Sequence, residues 1–327
     1  MATSRCLSCR RPLVCEAQVV APPSFVFAPC HALVDMRFTC ILWAAFGCLQ
    51  AQEPKPVPLR YKLTTPEVAA SRVRGAMMKN ADRGAKLKDM FRDAGCSADD
   101  LQLQPVRHAK VPNVICTVPG GTDSVILVGA HFDHAKHGLG VIDNWSGASL
   151  LPSLVESVRS LERRHTFVFV GFTEEESGLV GSYFYVSQLD QGGLSRIVAM
   201  INFDSVGAGP TEVEYSSADT NLLKRLLNVA GSAKLTLTLM DFDQVGISDF
   251  LAFRLKGVPT LIFHSLTQDN LKILHKSADN YPALKMDDYY DTYRLGAALL
   301  AYLDVALDVL PRHGTDAMPP TLQRTPH

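Results

Sequence analysis

The chain has 327 residues, 47% of them hydrophobic and 20% charged, and its 32 basic side chains nearly cancel 33 acidic ones for a formal net charge of −1. With no Lys/Arg block or basic stripe, that balance excludes the electrostatic footprint of a protein that binds nucleic acid or an anionic membrane surface. The partner implied is a small or peptidic substrate, and the length suits one catalytic α/β domain with extensions.

Six of the eight cysteines fall within the first 48 residues, among Pro, Ala and Val with no helical or alternating period. Residues 1–35 are therefore expected to be an upstream extension outside the fold, disordered, with translation starting at Met36. Met36-Arg37 followed by FTCILWAAFGCLQA has the basic start, apolar middle and small-residue end of a signal peptide over residues 36–51, with Leu49-Gln50-Ala51 as its cleavage site. That reading implies an exported protein, periplasmic or secreted. Ala45-Phe46-Gly47-Cys48 forms a loose lipoprotein box through which Cys48 would be lipid-anchored, and the apolar run is too short to span a bilayer. Cys6 and Cys9 have the spacing of half a zinc knuckle, but no second half follows. Cys96 and Cys116 remain open between one disulfide and two buried thiols.

From Leu59 the pattern becomes globular, and one domain is expected over residues 59–310. Thr65-Pro66-Glu67 reads as a helix start, and the segment to Cys96 carries apolar residues at helical spacing, enough for two helices. LQLQPVRHAKVPNVICTVPG alternates like two outer strands, and SVILVGAHFD is apolar throughout, as a central buried strand is. The amphipathic GASLLPSLVESVRSLERRH, the strand TFVFVGF, the helix GSYFYVSQLD and the strand RIVAMINFD follow in alternation. TNLLKRLLNVAGSAK and SDFLAFRLKG read as helices, VPTLIFHSL as a strand, and DDYYDTYRLGAALLAYLDVALDVL as a long closing helix. Residues 311–327 are polar, Pro-rich and expected to be disordered. The alternation predicts an α/β fold, a three-layer αβα sandwich around a mixed, mostly parallel sheet.

In such sheets function gathers beyond the carboxyl ends of the strands. His131 and Asp133 end one apolar strand, Glu175 and Glu176 follow another, and Asp204 ends a third. Asp143 lies in a glycine-rich loop and His275 near the last strand. Imidazole and carboxylate are zinc ligands, and a carboxylate shared between two ions allows a paired site. A cluster of buried acids repels itself unless cations neutralise it; Asp143, Glu176, Asp204 and one hydroxide would balance two Zn2+ ions.

HFD, DNWSG, EESGLVGS, NFDSVG, SD and HKSAD, in that order between Leu59 and Leu310, resemble the co-catalytic di-zinc aminopeptidases, the bacterial leucyl aminopeptidase-like enzymes with the zinc exopeptidase fold. Glutamate carboxypeptidase II and glutaminyl cyclase are more distant members of that group. The resemblance implies two zinc ions per chain, one held by His131 and Asp204, the other by Glu176 and His275, with Asp143 bridging. It implies Glu175 as general base, the Glu-Glu-any-Gly-Leu-any-Gly-Ser spacing selecting Glu175 and Glu176 over Glu174. Asp133 would orient His131 by accepting its second imidazole N–H. A non-proline cis peptide is implied at Asp143-Asn144.

His264 rivals His275 as the last ligand, and the His-any-any-Ala-Asp pattern favours His275. His134 and His137 match no ligand position and are expected to face solvent or line the substrate site. Asp249 either helps to bind the substrate amine or caps a helix with Ser248. Where the family often reads Ser-Asp-His, this chain has Ser248-Asp249-Phe250, a departure that bears on substrate contacts. Trp145 and the group Tyr289, Tyr290 and Tyr293 are expected to pack. The activity implied is cleavage of N-terminal residues from peptides with a free N-terminus by a water activated between two zinc ions. The alternatives are a glutaminyl cyclase-like acyltransferase and a non-catalytic binding domain on the same scaffold.

Overall fold

The computed structural model describes residues 13–20, 56–241 and 247–309. Ten strands lie within them: β1 (Leu13–Val20), β2 (Pro56–Leu63), β3 (Leu101–Gln104), β4 (Asn113–Val118), β5 (Val125–His131), β6 (Thr166–Phe172), β7 (Ile197–Phe203), β8 (Glu212–Glu214), β9 (Thr238–Met240) and β10 (Thr260–His264). The helices are α1 (Pro66–Val73), α2 (Asn80–Asp93), α3 (Gly147–Arg159), α4 (Val180–Ser187), α5 (Gln191–Arg196), α6 (Thr220–Ala233), α7 (Phe250–Arg254) and α8 (Met286–Ala306).

Eight strands form one sheet in the order β3-β4-β6-β5-β7-β10-β8-β9. The inner four, β6, β5, β7 and β10, run parallel, while β3 and β4 pair antiparallel at one side and β8 against β10 at the other. Every residue of β4, β5 and β6 is buried, because helices cover both faces and leave no polar side for alternation. Within β5 the pleat still sorts the side chains. Ile126, Val128 and Ala130 join a core with α2, α3 and α8, whereas Val125 and Leu127 join a second core with Tyr185 of α4 and Phe253 of α7. These are the two apolar layers of a three-layer sandwich.

Local chemistry sets the helix ends. Thr65 accepts the Val68 N–H at 3.4 Å with Pro66 in the first turn of α1, and Asp219 accepts the N–H groups of Asn221 and Leu222 to start α6, each meeting donors that the helix leaves unpaired. α8 stops at Ala306, short of the expected end. Cys96 and Cys116 form a disulfide with Cα atoms 6.1 Å apart, which decides between the two readings of that pair. It ties the end of α2 to β4.

Leu13–Val20 pairs antiparallel along Pro56–Leu63, a departure from the expectation that residues 1–35 lie wholly outside the fold. The signal-peptide segment 36–51, with Cys48, and the tail 311–327 lie outside the described residues. No helix among the described residues is long and apolar enough to cross a membrane.

β5 is the pivot of the topology. The chain leaves it through α3 to reach β6 on one side, then crosses back through α4 and α5 to β7 on the other. The crevice at such a reversal, beyond the carboxyl ends of the strands, is where α/β sheets bind ligands.

Candidate metal centre

β5 ends at His131, whose ring is almost wholly buried. Phe132 turns into the core and Asp133 points back under the crevice. The turn after β6 passes through Glu174 in a left-handed conformation (φ 53°) and delivers Glu175 and Glu176. Their N–H groups donate to Asp133, to Oδ1 at 3.1 Å and Oδ2 at 3.2 Å, and the same Oδ1 lies 3.5 Å from His131 Nδ1. One buried carboxylate thus holds both the imidazole and the glutamate turn.

Asp204 follows β7. Ser248 donates to its Oδ2 at 2.5 Å and is itself held by the Asn202 side-chain amide at 2.9 Å. Asp143 sits beside a cis peptide bond to Asn144, as the family resemblance implied. Asn144 fastens this loop to the end of β7, donating to Phe203 O at 2.9 Å and accepting from Ser205 N at 3.1 Å. Gly147 belongs to the same junction: a Cβ there would come 2.4 Å from Phe203 O, closer than any side chain allows.

These segments bring two sets of donor groups together. His131 Nε2 is 3.3 Å from Asp143 Oδ1, 3.6 Å from Asp204 Oδ1 and 3.9 Å from Glu175 Oε2. His275 Nε2 is 3.0 Å from Asp143 Oδ2 and 3.1 Å from Glu176 Oε2. Asp143 therefore offers one oxygen to each set. Ligands about 2.0–2.1 Å from a tetrahedral zinc stand roughly 3.4 Å from one another, and the spacings found here bracket that edge. Glu174, Ser205 and His275 are among the described non-glycine residues at positive φ, the kind of backbone outlier that gathers at functional sites.

The electrostatics follow from burial and crowding of the acids. Burial pushes Glu175 up to about 9, helped by repulsion from Asp249, Asp204 and Asp143, and pushes Glu176 up to about 7, with Asp143 adding to it. The hydrogen bond to Asp143 raises His275 to about 9. Burial pulls His131 down, but the charges of Glu175 and Asp204 and hydrogen bonds with Asp133 and Asp143 carry it well above its ordinary value. Burial works to raise Asp143 too, yet its hydrogen bonds with both imidazoles hold it below the usual carboxylate range. Shifts in these directions mark a concentration of buried negative charge, which a divalent cation neutralises in a site of this composition.

The segment 113–300 matches Peptidase family M28. The chain belongs to that family. Among curated proteins it is similar to leucine aminopeptidase 2 of Trichophyton rubrum, 31% identical over 159 residues, covering 45% of this chain and 32% of that one. The chain spans about a third of the length of the curated relatives it matches. Among solved structures, the Legionella pneumophila LapA aminopeptidase superposes with a TM-score of 0.64 at 19% identity, covering 75% of this chain and 71% of that one. BSAP, a zinc aminopeptidase from Bacillus subtilis, does so at 0.54 and 23%, covering 59% and 49%, and Porphyromonas gingivalis glutaminyl cyclase at 0.59 and 16%, covering 73% and 98%. At these identities the structural likenesses establish the fold.

Other candidates in this M28 chain fall elsewhere. His264 ends β10 and belongs to neither donor set; its Nδ1 accepts the Leu266 N–H at 3.2 Å and lies 3.6 Å from Glu212 Oε2. His134 is half-buried, with its ring nitrogens 2.6 Å from Ala135 O and 2.8 Å from Met78 O, and His137 is exposed. Asp249 heads α7 without a side-chain cap bond, so the capping reading fails; it is buried beneath the site, and burial pushes it up to about 7. Trp145 packs, donating to Arg72 O at 3.2 Å. Tyr289 and Tyr293 bond to Ser149 and Ser157, and Tyr290 to Thr64 O.

Sequence reasoning missed Ser248 as an anchor of Asp204, and it missed Asp279 and Arg83, which hold the Asp143 loop from behind. Asp279 stood in plain view at the end of HKSAD, whereas Arg83 carries no motif at all.

A cavity of ≈ 170 Å³ opens over the cluster, with Asp143, Glu175, Glu176 and Asp204 at one end and Ile247, Ile262, Leu266 and Leu274 among its other walls.

Proposed function

We propose that this M28 peptidase is an exported zinc-dependent aminopeptidase that removes apolar N-terminal residues from peptides with a free N-terminus, using two zinc ions per chain. The observation that carries the reading is Asp143, buried and aimed one oxygen at each of two His/carboxylate sets. His131, Asp204 and Asp143 would hold one ion; Glu176, His275 and Asp143 the other. Bound there, zinc would supply Lewis acidity toward the scissile carbonyl and lower the pKa of a water to near neutrality.

The chain's own residues supply the rest. Glu175 Oε2 stands 3.9 Å from His131 Nε2, at the edge of the first set rather than within its closest contacts, and serves as general base, taking the proton of the attacking water and passing it to the leaving amine. Asp133 fixes the turn that presents Glu175 and Glu176 and orients His131. The isoleucine and leucine walls of the cavity receive the N-terminal side chain. The Cys96–Cys116 disulfide supports an oxidising compartment, in line with the signal segment read at residues 36–51 and with Cys48 as a lipid anchor. Residues 59–310 would be the catalytic domain.

The test is a panel of aminoacyl chromogenic substrates and short peptides, with chelator and with zinc restored. Release of leucine that is lost with chelator and recovered with zinc is expected. A second reading, glutaminyl cyclisation, draws on the fold likeness to the Porphyromonas gingivalis enzyme. It would appear in the same assay as ammonia from N-terminal glutamine, and the presence of two complete donor sets favours hydrolysis over it. Purified protein with near-zero metal and no turnover would instead mark a binding domain.

A further inference from the structure

Behind the donor groups lies a pair of charged side chains that the chemistry above does not use. Arg83, on α2, is fully buried. Its guanidinium donates to four main-chain carbonyls: Nε to Met77 O at 2.6 Å, Nη1 to Phe132 O at 3.0 Å, and Nη2 to Leu139 O and, at 3.2 Å, to Gly140 O. The guanidinium also lies over the Trp145 ring, 5.5 Å from its centroid. Phe132 and Leu139-Gly140 are the two ends of the loop that leads from His131 to Asp143, so one planar fork closes that loop. Asp279, 1% exposed, takes the other side of the same turn. Its Oδ1 accepts the Ile142 N–H at 2.6 Å and its Oδ2 the Asp143 N–H at 3.1 Å, while its main-chain carbonyl accepts the Leu139 N–H at 3.1 Å. Asp279 stands four residues after His275, so the segment that delivers one donor group also fixes the backbone of another.

We propose that Arg83 and Asp279 are positioning residues, a buried ionic clamp that sets the Leu139–Asp143 turn and so aims the two oxygens of Asp143 at the two cation sites. The residue types follow from the backbone they meet. Carbonyls facing one way require a donor fork, which arginine provides and lysine does not; amides facing the other require two acceptor oxygens, which a carboxylate provides and an amide does not. The proposal rests on the metal-binding reading above and goes beyond it by assigning the groups that preorganise the shared ligand.

The experiment measures zinc binding by chelator competition and by metal analysis of wild type, Asp279→Asn and Arg83→Lys, with far-UV circular dichroism and kcat and KM on a leucyl substrate. Wild type is expected to take two zinc ions. Both variants should fold and bind zinc roughly 10–100-fold more weakly at both sites, since the misplaced ligand is shared, as loss of a ligand's supporting partner does elsewhere. In both, kcat should fall at least tenfold, with KM changed less than twofold because neither residue lines the cavity. Variants that bind two ions with wild-type affinity overturn the clamp. Variants that both fail to fold overturn it too, since the pair would then hold the fold rather than the site. Failure of wild type itself to bind zinc would sink the metal reading, an outcome separate from either.

Discussion

Replacing Asp133 by Asn isolates the residue on which three parts of the site converge. Its carboxylate, 1% exposed, accepts the Glu175 N–H at 3.1 Å and the Glu176 N–H at 3.2 Å and faces His131 Nδ1 at 3.5 Å. Asparagine keeps the shape but has one acceptor oxygen, so its NH2 must face either the Glu176 N–H or both the Glu175 N–H and the imidazole. A hydrogen bond to a charged group contributes about 1.5–3 kcal/mol. If the site works as proposed, losing one should therefore cost about 10- to 150-fold in zinc affinity and in kcat/KM together. The metal-free protein should lose less. There the Asp133 charge adds to the repulsion that raises Glu176 and Asp249, and its removal offsets part of the lost bonding. Thermal unfolding with and without zinc, beside chelator competition and kinetics, checks this: the gain in Tm on zinc addition should shrink in Asp133→Asn. Zinc affinity and kcat/KM both within twofold of wild type would refute the assignment of Asp133 as the organiser of the site.

Glu175→Gln should cut kcat by about 10²–10⁴ while leaving metal content at the wild-type level; loss of zinc in this variant would move Glu175 from base to ligand. The disulfide closes a 20-residue separation, which in the chain-entropy account contributes about 3 kcal/mol. Cys96→Ser with Cys116→Ser should lower Tm by about 6–12 °C, measured by calorimetry, and a reductant should leave the double variant unmoved. Zinc uptake should release protons. In the metal-free site His275 is raised to about 9 and His131 lies well above its ordinary value, so both imidazoles carry protons at neutral pH and must lose them to bind metal. Affinity should accordingly climb as pH rises toward 9 and collapse below 7. Titration calorimetry in two buffers of different ionisation enthalpy reads the proton count, and a count of zero contradicts the site.

How much of this was legible depended on where each residue's partners lie. β5, β6 and β7 were readable because strands covered on both faces become unbroken apolar runs, and His131, Asp204 and the Glu175-Glu176 pair were readable because each stands at the end of such a run. β8 and β9 escaped notice: three residues each is too short for a period to register, and β9 sits at the exposed edge of the sheet. Cys96 and Cys116 stayed open between a disulfide and two thiols because the bond depends on α2 folding back over β4, a tertiary distance that no spacing encodes. Arg83 was invisible for a different reason. Its partners are main-chain carbonyls, which every residue carries, so nothing in the sequence of the loop it closes announces that a guanidinium is needed. Asp249 stayed open between two readings because Ser-Asp before a helix is good capping chemistry, and its burial without a cap bond decides against the cap.

Three parallel strands and two loops converge because β5 has neighbours reached in opposite directions. Only at that reversal do the ends of β6 and β7 leave a gap wide enough for the Asp143 loop to enter from one side and the His275 segment from the other. The loop's route back into the sheet requires Asn144 to bond to Phe203 O and Gly147 to pass with no side chain. The buried acids that gather in that gap would drive the segments apart if each were held by its own strand alone. They are instead cross-tied in pairs: Asp133 binds the β6 turn to the end of β5, Asn144 binds the Asp143 loop to the end of β7, and Asp279 binds the His275 segment to Asp143. Each tie joins two segments that carry proposed ligands and does so through main-chain groups, so the ties themselves occupy none of those ligand oxygens, although Ser248 and Ser205 donate to the Asp204 carboxylate. The repulsion is therefore retained as affinity for a cation, and the fold pays for the site in hydrogen bonds placed one residue away from the chemistry.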